Sequence, residues 1–442
     1  MRKTIIIYSV ILLFFLFLSR TAKSQNPIIP AGKYLADPAA RVWNDGKLYV
    51  YSTKDESSNY MCSSTYDVIS SSDLKSWSWN TNVFASKGEN DEVPYTDKNL
   101  YGPDCAYKNG KYYLYYCHQN GGKDMGVAFG DSPVGPFKKG KLLEGVNQML
   151  PSVFTDDDGQ SYLCYGFFSL HVVKLKPNMT EIQPETLNKE VLNEKDHFFH
   201  EGGQLFKRNG LYYMVYTQIS RRGMATAIGY STSKKPMGPY KYGGVIIDNF
   251  GCDPLVWNNI GSVAQFNNKW YVFYHRSTHG SFSMRKLCIE PIKFNKDGSI
   301  PEVEMTTQGV ASPLNPLTQI DAASACYLTG KVRIERKADD NEALTHIENQ
   351  NTVAYKYYNF IQSPTKVTVK VTPQAGGQLQ IYAGSLATTL LAHIEIPAGD
   401  GLTSKEISIN ITSKVTGVLP IFLRFYGQEN VSLFELDWIK MV

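Results

Sequence analysis

The chain has little of what marks a nucleic-acid-binding, disulfide-stapled or helical protein. Lys and Arg number 45 and Asp and Glu 41, but the first 24 residues hold four of the bases (Arg2, Lys3, Arg20, Lys23) and no acid. Beyond them 41 bases face 41 acids, and a balanced charge argues against a nucleic-acid partner, which draws a basic excess or stripe. There is no Cys-x-x-Cys pair, and the seven cysteines (62, 105, 117, 164, 252, 288 and 326) are odd in number. They read as small buried hydrophobes in a chain large enough to need no staples, which makes a metal site on them an unfavoured expectation. Amphipathic helical periodicity is missing. Charged residues are only 19% and aromatics 13%, with 29 Tyr, so the chain has ample apolar surface for a core and is not disordered.

What is present begins with a leader. Arg2 and Lys3 precede an apolar run from Ile5 to Leu18, and Ala22 and Ser24 stand at −3 and −1 before Gln25. A run this short with a small-residue site predicts a secretory signal peptide at residues 1–24, a secreted or periplasmic protein, and no membrane span after cleavage.

One pattern then recurs five times: NDGKLYVYS at 44–52, KNGKYYLYY at 108–116, DDGQSYLCY at 157–165, RNGLYYMVY at 208–216 and FNNKWYVFY at 266–274. Asn-Gly and Asp-Gly favour hairpin turns whose central residues take positive φ, and the Tyr/Val/Leu run that follows has strand composition. The turn positions Gly46, Gly110, Gly159, Gly210 and Asn268 are 64, 49, 51 and 58 residues apart. Each interval holds one four-stranded blade, which predicts an all-β fold: a five-bladed β-propeller over residues 27–310. After a proline-containing link near residues 310–317 the aromatic hairpins stop. Short alternating strands such as KVTVKV at 366–371 and EISINI at 406–411 predict a β-sandwich over residues 320–442.

The residues before each turn should form the innermost strand of a blade. Asp37, Asp104 and Glu201 fall near the starts of three such strands and so should meet at one mouth of the channel. Like charges raise one another's pKa, and a protonated acid opposite an ionised one is the pair that cleaves a glycosidic bond. Each acid alone would read as a turn or cap residue; their recurrence at equivalent positions favours a site. Loops at residues 57–66, 88–99 and 221–224 are candidates for shaping the pocket.

These motifs resemble glycoside hydrolase family 43, the five-bladed arabinofuranosidases and β-xylosidases. Ala36-Asp37-Pro38, Gly102-Pro103-Asp104 and His200-Glu201-Gly202 carry the resemblance, with KWYVFYHR at 269–276 and the stretch at 289–298. It implies an inverting hydrolase that removes arabinofuranosyl or xylosyl residues from plant cell-wall oligo- or polysaccharide. Asp37 would be the general base, Glu201 the general acid, and Asp104 the group that raises the pKa of Glu201. His275 and Arg276 would lie near the substrate, their other reading being packing or salt bridging. An exo-galactanase-like hydrolase and a non-catalytic glycan-binding propeller are the alternatives. Many members carry His-Gly-Ser at the start of the fifth blade; here Ile260 precedes Gly261 and Ser262. No cofactor is therefore expected: an axial calcium would need oxygen ligands such as Asn147, Gln148 or Asn259. Residues 320–442 resemble a family 6 carbohydrate-binding sandwich, with Glu435 where an Asn often reads hydroxyls and no Trp at residues 398–404. Sugar binding and bracing of the propeller are both open for it, and Tyr355, Tyr357 and Tyr358 read either as sugar-facing or as core.

Overall fold

The computed structural model describes residues 25–119, 124–253, 258–338 and 340–442; the expected leader lies outside them. Almost every element is a strand. The first blade is β1 (Leu35–Val42), β2 (Leu48–Lys54), β3 (Thr65–Ser71) and β4 (Ser78–Ala85). The second is β5 (Leu100–Lys108), β6 (Lys111–His118), β7 (Met125–Gly130) and β8 (Lys138–Leu142). The third is β9 (Ser152–Thr155), β10 (Ser161–Phe167), β11 (Ser169–Lys174) and β12 (Asn188–Asn193). The fourth is β13 (Phe199–Arg208), β14 (Leu211–Gln218), β15 (Ala227–Ser233) and β16 (Lys241–Asp248). Among the described residues the fifth has three strands, β17 (Ser262–Phe266), β18 (Lys269–Arg276) and β19 (Lys286–Ile292). The innermost strands β1, β5, β9, β13 and β17 pack in sequence around the axis, and β17 meets β1 to complete the ring.

The fifth blade departs from the expected four strands, and the N-terminal segment makes up the difference. Ile28 N–H donates to Leu287 O (2.9 Å), and the Asn26 side chain both accepts from Ile289 N (2.8 Å) and donates to Ile289 O (3.0 Å). A buried amide here does what a strand backbone would do, satisfying the edge of β19 and fastening the start of the propeller to its end.

The five hairpins also divide. Asn109-Gly110, Asn209-Gly210 and Asn267-Asn268 all have positive φ at both positions, as a two-residue primed turn requires. Blades one and three instead pair Val42 with Leu48 and Thr155 with Ser161 across five-residue loops, in which Gly46 (φ 75°) and Gly159 (φ 81°) supply the left-handed residue. All seven cysteines are buried thiols.

The C-terminal strands form two packed sheets. One contains Thr352–Phe360, Gly377–Ala383 and Gly417–Tyr426, the other Asn341–Thr345, Lys366–Pro373 and Phe434–Met441. Tyr355 and Tyr358 lie in the core between them, whereas Tyr357 turns to Glu304 of the propeller side. The junction is polar and buried. Lys286 pairs with Glu342 at 2.8 Å with both side chains 2% exposed, and Leu328 N–H donates to Gly251 O (2.7 Å). These contacts join the sandwich to the propeller.

Candidate active site

Strand register explains how the three acids leave their ladders. The β1–β2 pairing is interrupted between Ala36 and Ala39, the β5–β6 pairing between Tyr101 and Asp104, and the β13–β14 pairing on both sides of Glu201. Such irregularities bend a strand and re-aim a side chain. Pro38 and Pro103 have no N–H to give to a ladder, and Gly102 (φ 54°), Gly202 (φ 77°) and Gly203 (φ 142°) take backbone that side chains resist. A Cβ on Gly102 would also meet the end of the Leu150 side chain at 2.3 Å, so a larger residue there would have to displace it. Asp37 itself has φ 51°.

A narrow axial cavity of about 40 Å³ opens among Asp37, Asp104, Leu150, Gly202, Ile260 and Ser262. All three acids are buried, at 4%, 1% and 7% exposure for Asp37, Asp104 and Glu201. Their surroundings differ. Asp37 accepts from Arg285 Nη1 (2.8 Å) and from the Thr53 hydroxyl (2.6 Å), and Thr53 in turn accepts from Gly102 N (2.7 Å). Arg285 is 1% exposed in its side chain and also grips Asp55 through Nε and Nη2 (2.9 and 3.0 Å). Beneath Asp37, its backbone N–H donates to His275 Nδ1 (3.3 Å). That leaves the proton on Nε2, which lies 3.0 Å from Asn258 Oδ1. Burial and then the Arg285 charge hold His275 well below its ordinary pKa, so it is a neutral prop for the Asp37 backbone.

Glu201 is the opposite case. Burial, then the Asp37 charge, push its carboxyl up to about 8, with Arg285 opposing. Glu201 is thus held neutral beside an aspartate ion-paired to Arg285, two carboxyls set apart by environment.

Two expectations need correction. Asp104 is not what raises Glu201. Its carboxylate is consumed by the Arg41 guanidinium through Nε (2.8 Å) and Nη2, by the Ser152 hydroxyl (2.9 Å) and by Val153 N (2.7 Å). An anion neutralised in this way has little field left, and the anion that acts on Glu201 is Asp37. Arg276 is not at the mouth. Consecutive strand residues point to opposite faces, so His275 reaches Asp37 while Arg276 is buried among Tyr274 OH (2.9 Å), Thr306 O (2.6 Å) and Ala325 O (3.3 Å). It ties the propeller to the sandwich. Arg285, Asp55 and Thr53 went unnoticed in the sequence, since none belongs to a repeat and their partners lie up to 248 residues away.

A propeller that brings one neutral carboxyl beside one ion-paired carboxyl near its axis has the parts that a two-carboxylate hydrolase uses. The chain belongs to the glycosyl hydrolases family 43, whose model matches residues 24–300; residues 322–442 match the carbohydrate binding module (family 6). It is 28% identical to an arabinoxylan arabinofuranohydrolase of Paenibacillus polymyxa, over 95% of this chain and 74% of that protein. It is likewise 28% identical to a xylosidase/arabinosidase of Thermoclostridium stercorarium, over 92% of this chain and 97% of the relative. Among solved structures it is similar to a family 43 arabinoxylan arabinofuranohydrolase from Bacillus subtilis in complex with cellotetraose. The TM-score is 0.56 and the identity 28%, covering 95% of this chain and 98% of that one. An exo-β-1,3-galactanase from Phanerochaete chrysosporium shares the fold at 16% identity.

Proposed function

We propose that this chain removes arabinofuranosyl or xylosyl residues from arabinoxylan of plant cell walls with inversion at the anomeric carbon. The observation that carries the mechanism is the neutral Glu201 beside the Arg285-held Asp37. Relatives that span both the propeller and the sandwich carry the arabinoxylan and xylosidase/arabinosidase names, which supports the substrate. Asp37 takes a proton from water as the water attacks the anomeric carbon. Arg285 and Thr53 each occupy one of its oxygens and fix the orientation of the remaining lone pairs. Glu201 gives its proton to the leaving oxygen. An inverting pair stands about 6.5–9.5 Å apart, which leaves room for that water. Asp104 and Arg41 lock the second blade's strand at the mouth. The leader at residues 1–24 directs the protein to an extracellular or periplasmic site, where such polymers are met.

The axial cavity does not fit a calcium ion, which takes six to eight oxygens. Ile260, Leu150, Pro38, Pro103 and Pro151 line it beside Ser152, Gln204 and Ser262, and the side-chain oxygens of those three, like those of Asp37 and Asp104, are already hydrogen-bonded. No step is assigned to a metal.

The test is pentose release from arabinoxylan, with the first-formed anomer read by proton NMR. Inverted product, and loss of at least about a thousandfold in turnover for Asp37→Asn and Glu201→Gln, is expected. Retained configuration, or an active Glu201→Gln enzyme, would reject the mechanism.

A further inference from the structure

The exposed apolar side chains of the propeller are unevenly shared between its two ends. Strand direction puts the connections after β2, β4, β10, β12 and β18 on the face that carries the acids. Tyr60, Met61, Tyr95, Phe168, Phe198 and Phe282 stand there, whereas only Val42 and Tyr107 among the described large apolar residues of the propeller are exposed at the other end.

Phe168 is set apart within this group. It is the tip of the β10–β11 hairpin, where Phe167 pairs with Ser169, and it is 53% exposed. Its φ is 62°, a region that a bulky residue enters at a cost and that glycine or asparagine fills most easily. The strain is held from below. Phe168 N–H donates to His200 O (2.7 Å), its ring meets the His200 ring edge-on at 5.4 Å, and Phe167 lies against it at 3.9 Å. Phe167 is in turn the register partner of Glu201. A phenyl ring thus stands in water, on a strained backbone, one residue from the pairing that carries the acid. Strain of this kind collects at ligand clamps, and an exposed aromatic continuous with a site marks a contact surface.

We propose that Phe168 is a specificity-determining platform, on which the pyranose of the polysaccharide main chain stacks on the leaving-group side of the bond. The proposal rests on reading Glu201 as the general acid: the residue that protonates the leaving oxygen must sit beside the leaving sugar. The apolar C–H face of a pyranose laid on Phe168 orients the main chain and leaves the side-chain sugar to enter the mouth. Phe167 and His200 are positioning residues that hold the ring.

Phe168→Gly removes the ring at a φ that glycine accepts, so folding is preserved. Phe168→Trp restores an aromatic surface. The measurement is kcat/KM on soluble arabinoxylan divided by kcat/KM on methyl α-L-arabinofuranoside, whose leaving group has no ring. The ratio is expected to fall roughly tenfold in Phe168→Gly, mainly through KM, and to recover at least in part in Phe168→Trp. An unchanged ratio in Phe168→Gly, with Glu201→Gln inactive on both substrates, overturns the platform and leaves the mechanism standing. An active Glu201→Gln enzyme, or a wild type that releases no pentose from arabinoxylan, overturns the underlying reading and the platform with it.

Discussion

If Glu201 is kept neutral by the fold, the protein's stability must register it without any substrate. The carboxyl moves from the usual glutamate range to about 8 on folding, through burial first and the Asp37 charge second. Between those limits the native state binds a proton that the unfolded chain has released. Stability therefore falls as pH rises, at about 1.4 kcal/mol per pH unit where the difference is complete. The favourable contribution is full below the unfolded glutamate value and gone above about 8. Glu201→Gln keeps the shape and has no proton to lose. Its unfolding free energy, measured in urea from pH 5 to 7.5, should gain on that of the wild type by roughly 3 kcal/mol across the interval. Other groups titrate in the same range, but they do so in both proteins and cancel in the difference. Parallel curves for the two proteins would mean that Glu201 ionises normally in the fold and cannot be the acid at neutral pH.

Other consequences concern its neighbours. Asp104→Asn should lower turnover by freeing Arg41 and the β5 bulge, yet leave the basic limb of the pH–rate profile near 8; a limb moved to lower pH would return to Asp104 the tuning role assigned here to Asp37. Arg285→Met strands Asp37 and Asp55 as buried carboxylates and should cost about 3–5 kcal/mol in a denaturant titration, with Arg285→Lys intermediate. Glu342→Gln leaves the Lys286 ammonium buried against two backbone carbonyls and the Tyr34 ring, with no counter-ion, and should cost about 3 kcal/mol, seen as a lower melting temperature with unaltered KM for small glycosides. Activity should survive a chelator; full loss on EDTA with recovery on calcium would show an axial ion that Ile260 fails to exclude.

The propeller could be read from the chain because its turns demand particular residues. Asn109-Gly110 and Asn209-Gly210 are needed for positive φ, and the Tyr-rich strand that follows must be buried on both faces between blades. The closure of the fifth blade could not. Asn26 acts as a strand through its side chain, and nothing in an isolated Gln-Asn-Pro announces a partner 263 residues away. Arg285 was hidden for the same reason: it lies between Met284 and Lys286 with no repeat around it, and only the ring brings it under Asp37. That Asp37, and not Asp104, acts on Glu201 was also beyond local reading. Which carboxylate is neutralised depends on Arg41, a residue of the first blade that reaches across to the second.

The acids themselves were legible for a backbone reason more than a chemical one. Ala-Asp-Pro, Gly-Pro-Asp and Glu-Gly-Gly are what a strand needs in order to break its ladder on the channel wall. In a regular strand the side chain at each of these positions would alternate between the two faces of its blade, packed against the next blade, and would never face the axis. Proline removes a donor that the broken ladder could not satisfy, and glycine supplies the positive φ that turns the chain back. Each acid is therefore embedded in the residues that expose it. The groups that set its charge state, Arg285 for Asp37 and Arg41 for Asp104, sit in ordinary strand or loop positions where any long cation would fit the local backbone. Aim is written locally in this chain and charge is written across it. A variant that keeps the three short motifs but replaces Arg285 should still fold a mouth with acids in it. In that mouth Asp37 would have lost its counter-ion, and the two buried carboxyls would compete for one proton.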